Sequence, residues 1–151
     1  LVLFRDGMYN EDSPLGVKSR LFAVRITKMV NYLLKNRSKT LKPVYDQILR
    51  SGTSIMANVA ESEFAQSRAD FKNKLQIALK EANETKRWLY LLYNSEALTQ
   101  REFDSMNADC SELVAMLVSS VNTSRKNGGY EEIRDHSSEG MVSDCDVPLH
   151  F

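Results

Sequence analysis

Apolar side chains recur at helical spacing through most of the chain. Between Leu15 and Asn36, residues Phe22, Ala23, Ile26, Met29, Val30, Leu33 and Leu34 fall on one arc at about 100° per residue, which predicts an amphipathic helix. Ser13 and Pro14 stand before it as an N-cap and a first-turn proline. The polar run Asn36-Arg37-Ser38-Lys39-Thr40 breaks the pattern, and Pro43 suits the first turn of a second helix reaching to about Glu63. Its inward face is Val44, Ile48, Gly52, Ile55 and Val59. A glycine inside a helix costs about 1 kcal/mol against alanine, so Gly52 implies the close approach of a neighbouring helix.

Ser67-Arg68-Ala69-Asp70 resembles a capping box with aspartate in the usual glutamate position, and opens a third helix to about Tyr93. Phe71, Leu75, Ala78, Ala82, Thr85, Leu89 and Leu92 alternate spacings of four and three, a seven-residue repeat that predicts shallow, left-handed bundle crossings. Thr99-Gln100-Arg101-Glu102 is a regular capping box for a fourth helix, with Phe103, Met106, Cys110, Leu113, Val114, Leu117 and Val121 inside and Gly128-Gly129 as its stop. Four long helices with short connections favour antiparallel neighbours. The expected fold is therefore all-α, an antiparallel up-down-up-down four-helix bundle over residues 15–127. Residues 1–14 read as an N-terminal extension, and residues 128–151, rich in Glu, Asp, Ser and Gly, as a flexible acidic tail.

Charge sharpens that division. The chain has 20 basic and 20 acidic residues among 151, but residues 1–127 hold 19 and 14 (+5) and residues 128–151 hold 1 and 6 (−5). From Leu15 to Lys42 there are eight basic residues and no acidic one. Lys18, Arg25, Lys28 and Lys35 share about 100° of helix circumference with Leu21 and Tyr32, and Arg37 and Lys39 continue the run beyond the helix. A cationic strip with an aromatic can follow a phosphate backbone, so Lys18, Arg25, Lys28, Lys35, Arg37 and Lys39 are the candidate nucleic-acid contacts. The plainer alternative is an ordinary solvated face. The tail could fold over this strip and compete with polyanions, or simply aid solubility.

A second flank of the third helix carries Ile77, Glu81, Glu84, Trp88 and Leu91, away from the main stripe. Aromatic and aliphatic residues beside carboxylates suit a subunit interface containing Ile77, in which Trp88 is an anchor and Glu81 and Glu84 meet Arg50 or Arg87. Alternatively, Trp88 completes a wide intramolecular core. Enzymatic chemistry is not expected. Both histidines, His136 and His150, lie in the tail, so a Glu-x-x-His metal bundle is excluded and no metal or cofactor is expected. Ser51, Ser54, Asn58 and Glu61 form a polar ridge with no general base beside it, and Cys110 reads as a small buried hydrophobe. Cys110 and Cys145 lie 35 positions apart without metal-ligand spacing, which fits a reducing cytoplasm. Leu1-Val2-Leu3-Phe4 followed by Arg5-Asp6 falls far short of a signal h-region or a membrane span, so a soluble protein with no membrane partner is expected.

Two stretches carry a family resemblance. Leu49-Arg50-Ser51-Gly52-Thr53-Ser54-Ile55-Met56-Ala57-Asn58-Val59-Ala60-Glu61, and Phe71 through Thr85 continuing to Trp88-Leu89, closely resemble the bacterial four helix bundle proteins, also called the rRNA intervening-sequence protein family. The likeness runs over about residues 18–126. It implies a homopentameric ring of short bundles. It also implies a basic surface for nucleic acid, RNA or DNA, or for a nucleoprotein partner, since a relative is the accessory protein of the reverse transcriptase in diversity-generating retroelements. The expected function is thus a non-enzymatic, homo-oligomeric scaffold that docks nucleic acid electrostatically. The alternative is a protein–protein interaction module with no nucleic-acid role.

Overall fold

A computed structural model describes residues 13–126; the acidic tail, His136, Cys145, His150 and the Gly128-Gly129 stop lie outside the described residues. Four helices, α1 (Pro14–Asn36), α2 (Lys42–Glu63), α3 (Arg68–Asn94) and α4 (Gln100–Lys126), form an all-α bundle with no strand among the described residues. Consecutive helices pack on each other and α1 closes against α4. Along each pair, residue numbers rise on one helix as they fall on the next. Ser13 meets Glu63 while Gly52 meets Ile26; Glu61 meets Lys74 while Arg50 meets Glu81; Ala82 meets Cys110 while Tyr93 stacks on Phe103.

Local chemistry sets the helix ends. Ser13 Oγ accepts from Gly16 N at 3.0 Å and donates to Glu63 Oε1 at 3.1 Å, so one hydroxyl caps α1 and ties it to the end of α2. Ser67 Oγ accepts from Asp70 N at 3.1 Å, and the short Asp70 side chain returns to Gln66 N at 3.3 Å instead of to the cap residue itself. Thr99 and Glu102 form the reciprocal box, with Thr99 N donating to Glu102 Oε2 at 2.8 Å and Glu102 N to Thr99 Oγ1 at 3.3 Å. After α3 the chain turns through Glu96 at φ 58°, and Ala97 N returns to Leu92 O at 2.9 Å, a Schellman closure with glutamate in the left-handed position glycine usually takes.

The core follows the expected stripes. Phe22, Ile26, Leu33, Ile48, Ile55, Leu75, Leu89, Leu92, Leu113 and Leu117 are fully buried, while Met29, Leu34, Val44, Phe71, Phe103 and Val114 pack against them half-buried. Gly52 has the expected cause: a Cβ there would stand 2.9 Å from both Ile26 Cγ1 and Cγ2, so its absence lets α1 sit close on α2. Three core positions lie outside the expected stripes. Tyr45 is fully buried because its hydroxyl donates to Ser38 O at 3.0 Å across a short 3-10 turn, Lys39–Leu41. Ala97 and Leu98, in the α3–α4 connection, fold back under the bundle end.

Candidate functional site

The basic strip of α1 splits in two. Lys18 pairs with Glu112 at 2.5 Å and Asp109 at 3.6 Å, and the hydrogen bond to Glu112 leads the effects that raise its ammonium pKa above the ordinary 10.5. Arg25 pairs with Asp109 and reaches Ser105 Oγ at 2.7 Å. Arg37, the C-cap of α1, pairs with Glu102 at 3.7 Å and lies over the Tyr32 ring, 5.6 Å from its centroid. Three of the six candidates are therefore neutralised by α4 within the same chain.

Lys28, Lys35 and Lys39 differ. All three are exposed, and no carboxylate among the described residues pairs with them. Lys28 opens onto a groove of about 600 Å³ between α1 and α4, lined by Arg25, Met29, Tyr32, Leu98, Arg101 and Met106 among others. Arg101 is exposed there and carries no ion pair among the described residues, whereas the groove's carboxylate, Glu102, is held by the α4 capping box and Arg37. Sequence reading missed Arg101 and the α4 partners. A signal was present: Glu102, Ser105, Asp109 and Glu112 are spaced three, four and three, one polar face aimed at α1.

The α3 flank is already engaged inside the protomer. Arg50 of α2 pairs with Glu81 at 3.2 Å and also with Glu84. Trp88 Nε1 donates to Glu84 Oε1 at 3.0 Å, and the indole packs half-buried against the core. That indole N–H leads, with Arg50 beside it, in holding the Glu84 carboxyl below its ordinary pKa. Ile77 is half-buried on the same side, and Leu91 is exposed. The polar ridge divides likewise. Ser51 is buried and bonds Thr85 Oγ1 at 2.9 Å across α2 and α3, Asn58 donates to Ser54 O at 2.9 Å, and Glu61 pairs with Lys74 at 2.6 Å. Cys110 is buried with its Sγ 3.4 Å from Ala82 O, and burial pushes the thiol up to about 12, which leaves it without thiolate character at neutral pH.

Among the described residues no cluster of three or more His, Cys, Asp or Glu could hold a metal ion, and no described helix is long and apolar enough to cross a membrane.

Comparison with known proteins agrees with the bundle. A crystal structure of a protein with unknown function from the S23 ribosomal protein family of Bacteroides thetaiotaomicron is 48% identical, with a TM-score of 0.66 over 71% of this chain and 97% of that one. No curated protein matches. The profile of the 23S rRNA-intervening sequence proteins matches residues 12–119, and the chain belongs to that family.

Proposed function

We propose that this protein is a non-enzymatic helical-bundle scaffold that binds nucleic acid, or a nucleoprotein such as a reverse transcriptase complex, through the outer face of α1. One observation carries the reading: Lys28 and Lys35, each about one turn from Tyr32 on α1, and Lys39 in the turn that follows stand exposed without carboxylate partners among the described residues. Unpaired cations release phosphate counterions on binding, so affinity falls as salt rises. Membership of a family named for an insertion in 23S rRNA supports a nucleic-acid partner. The protein works as a homo-oligomer, with five copies making a ring that multiplies the same weak contact. The α3 flank, Ile77, Glu81, Glu84 and Trp88, is the assembly surface: Arg50 holds the two carboxylates in place within the protomer, and the adjacent Leu91 is exposed for contact with a neighbouring copy.

Anisotropy of a labelled RNA titrated with the wild-type chain across a salt series tests binding. Expected is a steep fall of log affinity with log salt; no measurable binding at about 50 mM salt overturns the reading. Light scattering tests assembly, with about 86 kDa (5 × 17.2 kDa) expected and 17.2 kDa contradicting the ring. A second reading, a protein–protein interaction module, is favoured by Val17, Leu21 and Val24, which leave an exposed apolar stripe on the first half of α1.

A further inference from the structure

From the α1–α4 groove we infer that the protein takes single-stranded polynucleotide in preference to duplex, with one unstacked base laid against Tyr32. The inference rests on the nucleic-acid reading above and narrows it to a substrate class. Tyr32 is 44% exposed and lines the groove, while the Arg37 guanidinium already covers one face of its ring. Apolar Met29, Leu98 and Met106 form the floor, and the rim carries Arg25, Lys28 and Arg101 against the single carboxylate Glu102. Arg25 and Glu102 are occupied by Asp109 and Arg37, so the charges left for a ligand are those of Lys28 and Arg101, with Lys35 exposed one helical turn beyond Tyr32.

That combination matches one chemistry. A flat ring on an apolar floor binds a planar heterocycle through its face, and flanking cations bind the phosphates on either side of it. The volume, about 600 Å³, lies in the range of roughly 300 to 1,000 Å³ for small-ligand pockets, so it admits a nucleoside-sized group. A duplex keeps its base faces stacked inside and presents only phosphates and groove edges, which cannot reach a ring set in a groove. The Arg37 guanidinium lies over one face of the ring, which leaves the other face for a base.

The test measures anisotropy of oligouridylate, oligothymidylate and a blunt duplex, each about twelve nucleotides long, with the full chain and with Tyr32→Ala and Tyr32→Phe. Expected is tighter binding of both single strands than of the duplex by the wild type. Tyr32→Ala should lose about five- to hundredfold on the single strands and leave duplex affinity unchanged, and Tyr32→Phe should retain wild-type affinity. Equal affinity of Tyr32→Ala and wild type for single strands overturns the inference. So does an equal loss on the duplex, or a loss confined to one of the two single strands. In each of those cases the wild type's salt-sensitive binding still stands, so the general reading survives. Absence of any binding by the wild type at low salt removes both. Thermal midpoints of the variants, expected to stay close to the wild type because Tyr32 is no part of the buried core, separate lost stacking from lost structure.

Discussion

Two rows of cations run along α1 roughly a quarter turn apart, and they differ in what they meet. Lys18 and Arg25 face α4 and meet Asp109 and Glu112 there. Lys28 and Lys35 face outward and meet no carboxylate among the described residues. The first row fastens two helices of one protomer; the second is available to something else. A count of basic residues on one helix cannot separate the two, because the deciding groups lie some eighty positions further along the chain.

Four sets of substitutions act differently on the two rows. The largest effect strikes what both rows share, the seat of α1 on α2. Gly52→Val drives methyl groups into Ile26 and should destabilise by about 1 to 3 kcal/mol in urea melts, shifting both rows together; an unchanged midpoint would mean that α1 is not held by this contact. Next comes Asp109→Lys, which removes two ion pairs and sets a third cation beside Lys18 and Arg25. A loss of about 1 kcal/mol is expected, shrinking in about 1 M salt.

Lys28→Glu with Lys35→Glu should stay within about 0.5 kcal/mol of wild-type stability while abolishing salt-sensitive RNA binding. If this pair destabilises as much as Asp109→Lys, the outer row is structural after all. The smallest effect is alkaline. Lys18 has its folded pKa raised by Glu112, so its stabilisation is complete below the unfolded value of 10.5 and disappears as pH rises through the folded one. Lys18→Met should therefore cost a few tenths of a kcal/mol, as exposed pairs do, at pH 8, and nothing once the pH has passed the folded value, as read by paired thermal melts.

Most of the fold was legible because helices announce themselves locally. Ser13-Pro14, Ser67 with Asp70, and Thr99 with Glu102 mark helix starts within four residues, and the heptad from Phe71 to Leu92 defines the buried face of α3. Gly52 was legible for the same reason, since a costly residue in a helix needs a neighbour. Tyr45 and Leu98 were not. Burying Tyr45 depends on Ser38 O arriving across a turn, and Leu98 belongs to no helical period. At the site, the strip on α1 was visible but its split was not, because Asp109, Glu112 and Glu102 reach α1 only once the bundle closes. Arg50 meeting Glu81 and Glu84 was anticipated as chemistry, and the structure makes that contact within one protomer.

Trp88 is the single tryptophan of the chain, and its indole N–H rests on a carboxylate that α2 also grips through Arg50. The molecule thereby carries its own optical gauge. Emission from this one fluorophore shifts when the seam between α2 and α3 loosens or when another surface shields it from water, so unfolding and self-association can be followed without attaching a dye.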